Sequence, residues 1–532
     1  MNIPQDLLNA LDLRADASDE DVCAELLALI TSAVHDELPR LPLSEISHLI
    51  HDYHGVSFLS PLDALSILLL STDPAARDII ALLSNCSPAK EVVIATQEVL
   101  ERLENIEVQS DDGHQSPLDQ LIVLIDVYAS AVPRLKLRRK TASETLRPLI
   151  LDLAKVVRAL CEACSIAQGR SIIERTSNFV QMAKLWVTSA TDNGGEQSLC
   201  DVVLMDLLMT VLVACAQCIQ SCLARRSFAT YYPRLVVDPN LDTHWEVGEQ
   251  AVQLAIHAAS AIGYMPDALI SKPSAGHLII MAHMNSKMFA QSTLLEDLLP
   301  TIVSAFRSGV ALDECITLLL TLLHDLKETT ISPEVITPLC TMLASVASTH
   351  PDPTIRHQSF RILALLLSRS PPTLRMEALK ELTTDRLMPQ MRTAAVGLVK
   401  EAVLEGLSSS SPNMFASRIF LQAFGPILFR PDPPDYLSKN FSAQELCESY
   451  ETSRLAECLS LYYVLLLRDR SNKTGIRDRD IINNIDKNFL SPLRSALNMW
   501  TSNNSENVVM PIVSLQLGLD RVDSAAATLI DS

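Results

Sequence analysis

Glycine is scarce in this 532-residue chain: it occurs 14 times, well below a usual share of about 7%. Phosphate-cradling loops, β-bulges and tight hairpins need residues that reach positive φ cheaply, so nucleotide-binding and β-rich folds are disfavoured from the start. Aromatic residues are only 5% of the chain while hydrophobic residues are 48%. The core must therefore be filled by Leu, Ile, Val, Ala and Met, as in helix-on-helix layers. The sequence has no Gly-x-x-x-x-Gly-Lys-Ser/Thr, no Gly-x-Gly-x-x-Gly, no His-Glu-x-x-His and no Gly-x-Ser-x-Gly, the local patterns that carry phosphate, dinucleotide, zinc-hydrolase and serine-nucleophile chemistry. No catalytic residue and no cofactor is expected.

Long uninterrupted apolar runs are missing as well. The longest, Leu199–Ala224, contains Asp201, Asp206, Gln217 and Gln220, and its uncharged part is about half of the 20 residues a bilayer requires. A helix buried on most of its faces is expected there, with no membrane partner. The opening "MNIPQDLLNALDLRADASDED" has neither the basic flank nor the apolar core of a secretory signal. Twelve cysteines then read as reduced, buried small hydrophobes of a cytoplasmic or nuclear protein.

Charge is unevenly placed. Of the net −20, residues 1–130 carry −18, with 23 acidic and 5 basic side chains, whereas residues 131–190 hold 11 basic and 4 acidic ones, beginning at "RLKLRRK". Duplex binding needs excess positive charge to displace counterions, so no direct nucleic-acid contact is expected. An acidic first quarter suits long-range attraction of a basic protein, or simply keeps an apolar repeat protein in solution.

What is present is helical periodicity, broken at short intervals and often opened by Ser, Thr or Asp beside Pro: "SPLD" at Ser60 and Ser116, "TDPA" at Thr72, "SPEV" at Ser332, "DPTI" at Asp352. Such pairs provide a capping oxygen and a first-turn residue whose missing N–H costs nothing. Expected helices include Pro61–Leu70, Pro117–Ala131, Thr141–Cys164, Ser198–Leu223, Pro353–Arg369, Pro389–Leu407, Ala443–Leu467 and Asp478–Trp500. Loops are expected at Ser189–Gln197, Ser408–Pro412, Arg430–Asn440 and Thr501–Asn507. An offset of 36 residues aligns Pro353 with Pro389, Ile355 with Met391, and Arg356 with Arg392, each leading an apolar helix and preceded by another. The unit is a helical hairpin whose second helix opens Pro-x-apolar-Arg, and stacked hairpins of this length make an all-α, HEAT/armadillo-like solenoid. Pro353, Arg356, Pro389 and Arg392 are structural repeat positions, each Arg laying its stem on a neighbour and its head on a carboxylate or carbonyl. The chain divides into acidic-then-basic helical repeats at 1–190, a middle helical segment with loops at 191–310, and HEAT-like repeats at 311–532.

The runs "HPDPTIRHQSFRILALLLSRSPPTLRMEALKELTTD", "MPQMRTAAVGLVKEAVLEGL" and "ECLSLYYVLLLRDRSNKTGIRDRD" resemble the family of glomulin, the plant lateral-root-formation factor and fungal Yap-binding proteins, most clearly over about residues 310–500. The last run is most similar to the fungal branch. The resemblance implies a non-catalytic helical-repeat adaptor, with one of two partner classes: a Yap-type bZIP factor of the oxidative stress response, or the RING-box subunit of a cullin-RING ubiquitin ligase, which would be inhibited. A scaffold role, as in the kinetochore, and an unrecognised enzyme in a concave face are the alternatives. A free monomer is expected.

Three residue groups are candidates for chemistry or binding. Cys161-x-x-Cys164 and Cys215-x-x-Cys218, with Cys222 beyond, have paired spacing, but their separation exceeds that of a compact zinc ribbon and both fall inside expected helices, so they read as core cysteines. Among them Cys161 and Cys164, following Arg158, are the best placed for a redox thiol. His48, His51 and His54 share a spacing of three and read as a solvated helix end, not as metal ligands. Arg468, Arg470, Lys473 and Arg477, set among Asp469, Asp478 and Asp480 between two apolar helices, are a candidate protein-binding loop, because Arg offers planar multidentate contacts on a rigidly held connection.

Overall fold

A computed structural model of the chain describes residues 5–14, 16–105, 114–235, 245–263, 273–284, 294–326, 331–503 and 509–530. Every regular element among the described residues is helical, and successive helices pack in neighbouring pairs, as an all-α solenoid requires. The helix starts follow the expected chemistry. Helices begin at Pro61, Pro74, Pro117, Pro333 and Pro353, and the side chains of Asp73, Ser116, Ser332 and Asp352 each accept a first-turn N–H. Reciprocal capping boxes close the starts at Ser18, Thr141, Ser165 and Ser442.

Contacts group the chain into two compact units, 1–290 with 300–318, and 291–299 with 319–532. In the first, Ala142–Leu160 packs on Gly194–Ala214, and Ile166–Ala190 on Trp245–Ala261. Trp245–Ala261 also closes on the short helix Ala216–Ile219 at Gly248, where a β-carbon would stand 1.7 Å from the carbonyl oxygen of Ile219. In the second, Pro333–Thr349 packs on Pro353–Ser368, Pro372–Thr384 on Pro389–Ser408, Pro389–Ser408 on Tyr450–Arg468, and Tyr450–Arg468 on Met510–Ile530.

Several expected boundaries shift for identifiable reasons. Ile166–Ala190 is a 25-residue helix absent from the expected set; Gly, Ser, Thr and Asn lower its propensity, and packing on both neighbours holds it. The expected Thr141–Cys164 helix ends at Leu160, followed by a 3-10 turn at Cys161–Ala163. The expected Ser198–Leu223 helix ends at Ala214, and the chain then passes through left-handed Gln220 and Cys222 (φ 47° and 50°). Ala443–Leu467 is two helices meeting at Ser449, whose hydroxyl is tied to the Tyr436 hydroxyl at 2.6 Å. The expected Asp478–Trp500 helix runs with a π turn at Asp486–Leu490. Of the expected Thr501–Asn507 loop, residues 504–507 lie outside the described residues.

Gly194–Ala214 also differs in burial. Only 39% of its most apolar 18-residue window is buried, because its helical neighbours cover one side, with Leu204, Leu208 and Leu212 enclosed while Leu199 and Val202 face outward. Among the described residues it is the one helix long and apolar enough to cross a membrane. Asp201 on its flank is ion-paired with Lys184 at 2.7 Å.

Candidate protein-interaction surface

The 468–480 connection is a built turn. Asp469, fully buried, accepts the backbone N–H groups of Lys473 and Thr474 at 2.8 Å each and the Thr474 hydroxyl at 2.7 Å. Asn472, at φ 52°, accepts the Arg477 N–H at 2.9 Å and donates to Asp478 at 2.7 Å. Asp478 in turn pairs with Arg418 at 3.2 Å. The four candidate cations then divide. Arg468, Arg470 and Lys473 are exposed. Arg477 turns inward, its guanidinium donating to the carbonyl of Leu466 at 2.5 Å and to that of Arg470 at 3.4 Å, so it closes the end of the Tyr450–Arg468 helix, whose last carbonyls otherwise lack partners.

Beside this turn lies an open groove of about 380 Å³ between Tyr450–Arg468 and Met510–Ile530, lined by Tyr463, Leu467, Leu517, Asp520, Arg521 and Ala525. Leu517 is 53% exposed and Leu467 42%. Leu467, on the groove, is followed in the chain by exposed Arg468, so an apolar groove and a cationic turn lie next to one another along this helix end, a pairing that binding patches use.

The Tyr450–Arg468 helix also carries a buried ionic core. Arg454, 2% exposed, forms a fork with Glu451, at 2.7 Å from Nε and 2.6 Å from Nη2, and also donates to the carbonyls of Ile427 and Arg430. Glu451 accepts the Asp432 N–H at 2.8 Å, and Asp432 binds Arg386 and Arg392 at 2.7 Å each. Arg392 also donates to the carbonyl of Thr383 at 3.1 Å. Arg356 donates to the carbonyls of His350 and Pro351 at 2.7 and 2.9 Å. One repeat arginine thus bonds carbonyls alone, and the other a carboxylate as well.

In the first unit the structure brings together groups that the sequence keeps far apart. His283, with no exposed side-chain surface, has Glu249 at 3.1 Å on Nδ1 and Glu314 at 3.6 Å on Nε2. Burial alone would lower the imidazole pKa, but hydrogen bonds to Glu249 and Glu314 raise it to about 9. Glu249 is held at about 2: burial would raise it, and the bonds from His283, Gln253 and Arg226 outweigh that. Next in sequence to Glu314, Asp313 accepts the N–H groups of Leu223 and Ala224 at 2.6 and 3.0 Å, capping the helix after left-handed Cys222. No local motif joins residues 226, 249, 283, 313 and 314, so nothing in the sequence announced this cluster.

The cysteine expectation holds for burial at three of the four positions and needs correction in the placement of the two motifs. Cys161-x-x-Cys164 spans the 3-10 turn after Ala142–Leu160, and Cys215-x-x-Cys218 leads into the short helix Ala216–Ile219; the two converge, the sulfurs of Cys164 and Cys218 being 3.3 Å apart, and Cys161, Cys215 and Cys218 are buried as expected, whereas Cys164 is half-buried. They border a cleft of about 870 Å³ that is also lined by Arg147, Arg158, Glu162, Asp206 and His277. Among the described residues, no group of three or more His, Cys, Asp or Glu is arranged to hold a metal ion. His48, His51 and His54 are exposed, and His54 sits at φ 55° beyond the end of Leu43–Asp52.

Residues 277–521 match the family model described as "Uncharacterised protein family, YAP/Alf4/glomulin". The matched span contains the repeat arginines, the ionic core, the cationic turn and most of the groove, and the family is the one that the sequence resembles. It is not a known enzyme family. No curated protein matches the chain significantly.

Proposed function

We propose that this YAP/Alf4/glomulin-type helical protein is a non-catalytic regulator, which binds a Yap-type bZIP factor of the oxidative stress response through the 468–473 turn and the Tyr463–Leu467–Leu517 groove. The observation that carries the reading is the lie of that strip within the matched span: three exposed cations on a turn fixed by Asp469, next to exposed apolar side chains. A turn already held by buried hydrogen bonds loses little conformational freedom on binding, and cations beside an apolar groove suit an amphipathic helix bearing acidic side chains. The acidic 1–130 stretch adds attraction for the basic region of such a factor. Action in the cytoplasm and nucleus, as a free monomer that pairs on demand, belongs to this reading. The description of the family also names glomulin, which favours a second reading in which the RING-box subunit of a cullin-RING ligase is bound and inhibited.

The two are separated by titrating the purified full-length chain with a bZIP domain and, in parallel, with a RING-box subunit. A 1:1 complex with the bZIP domain alone supports the first reading, and one with the RING-box subunit alone supports the second. Binding to neither removes both.

A further inference from the structure

Four of the twelve cysteines converge at two helix ends. Cys161 begins the 3-10 turn that follows Ala142–Leu160, and Cys164 ends it in extended conformation. Cys215 ends Gly194–Ala214, and Cys218 lies in the short helix Ala216–Ile219 that follows. Interaction with Cys161 and Cys164 pushes the Cys215 thiol up. The closest contact is between Cys164 and Cys218, whose sulfurs at 3.3 Å are far inside the separation of unrelated side chains. Gly169 makes that contact possible, since a β-carbon there would stand 2.5 Å from the Cys218 sulfur and 3.2 Å from the Cys164 sulfur. Cys161, Cys164 and Cys218 all line the cleft, and of these Cys164 is the partly exposed one, so a small oxidant in the cleft meets Cys164 first.

We propose that Cys164 and Cys218 form an oxidisable dithiol that closes to a disulfide when a small hydroperoxide enters this cleft. The Cys164 thiolate attacks the peroxide; a sulfur–oxygen bond forms, the oxygen–oxygen bond breaks, and after proton uptake one water (or alcohol) leaves. The Cys218 sulfur then attacks the Cys164 sulfenic sulfur, forming the sulfur–sulfur bond and expelling the hydroxyl as a second water with the Cys218 proton. Two thiols are oxidised by two electrons and one hydroperoxide is reduced. A disulfide needs about 2.05 Å between sulfurs, so the 3.3 Å pair closes by side-chain rotation of a little over 1 Å. The roles follow from surroundings. Hydrogen bonds from Cys215 foremost, and from Cys218, hold the Cys164 thiol at about 6, the range of reactive thiolates. Burial pushes Cys218 up to about 12, so it waits as a thiol and resolves. Buried Cys340 and Cys458, pushed up to about 12 and about 11, have no such chemistry.

The test uses the full-length reduced protein, graded hydrogen peroxide, differential alkylation of residual thiols and peptide mass spectrometry. Cys164 and Cys218 should lose labelling together at about tenfold lower peroxide than the exposed Cys86 and Cys447, yield a cross-linked peptide two hydrogens lighter than its halves, and recover with a dithiol reductant. In Cys218→Ser, Cys164 should instead be captured as a sulfenic acid by dimedone; if that variant does not fold, the wild-type pattern decides alone. Oxidation of Cys86 and Cys447 while Cys164 and Cys218 stay reduced overturns the proposal. So does a purified protein carrying one zinc per chain, with all four clustered thiols unreactive until chelation, which would make the cluster a metal site.

Discussion

At the scale of single residues, buried charges matter more than the repeat signature that first drew notice. Arg356 and Arg392 were legible because proline fixes their register, but their weights differ. Arg356→Ala removes two hydrogen bonds to carbonyls and should lower unfolding free energy by about 1 kcal/mol. Arg392→Ala also strips a partner from Asp432 and should cost more. Glu451→Ala leaves the Arg454 guanidinium enclosed without its carboxylate and should cost about 3–5 kcal/mol. Urea unfolding of the three variants checks the order, and an equal loss in all three would contradict it. The Arg454 network was not legible, because Asp432 and Glu451 meet only when a connecting segment folds back. The His283 cluster was equally hidden. Its imidazole, raised to about 9 with Glu249, Glu314, Asp313 and Arg226 around it, contributes stability that is fully present below about pH 6.5 and lost as pH rises through 9. Wild type should therefore lose on the order of 3 kcal/mol between pH 6.5 and 9.5 that His283→Gln does not lose; parallel slopes in denaturant titrations would refute this.

Among elements, starts were more legible than ends. Ser/Thr/Asp-Pro pairs act locally, so the helices at Pro61, Pro117, Pro333 and Pro353 begin where they should. The ends at Leu160 and Ala214 are set instead by the meeting of the two Cys-x-x-Cys turns and by left-handed Gln220 and Cys222, which no local pattern announces. Helix crossings were not legible either. Gly248→Ala should destabilise by about 1–3 kcal/mol or more, because its β-carbon meets backbone at Ile219 and the Trp245–Ala261 helix must move away; melting at the wild-type temperature would show that the crossing has slack. The cationic turn was found by its composition, yet composition could not tell which cations face out. Arg477→Ser should lower stability by about 1 kcal/mol through the freed Leu466 and Arg470 carbonyls, without changing partner affinity when measured on folded protein. A folded variant that loses affinity would return Arg477 to the binding surface.

For the whole molecule, scarcity of glycine and a repeat of 36 residues were enough to indicate stacked helices, because both act through average propensity and period, not through any one contact. The proposed binding strip was only half legible: its charge was readable, whereas the groove exists because Tyr450–Arg468 packs on Met510–Ile530, a pairing far apart in sequence. The decisive measurement is calorimetric titration of a Yap-type bZIP domain into wild type and into Arg468→Ser/Arg470→Ser/Lys473→Ser, with thermal melting of both. The account predicts unchanged melting, since these side chains are exposed, together with affinity weakened about tenfold or more, as expected when several interface cations are lost. Equal affinity in an equally stable triple variant would contradict it and take the 468–473 turn out of the binding surface.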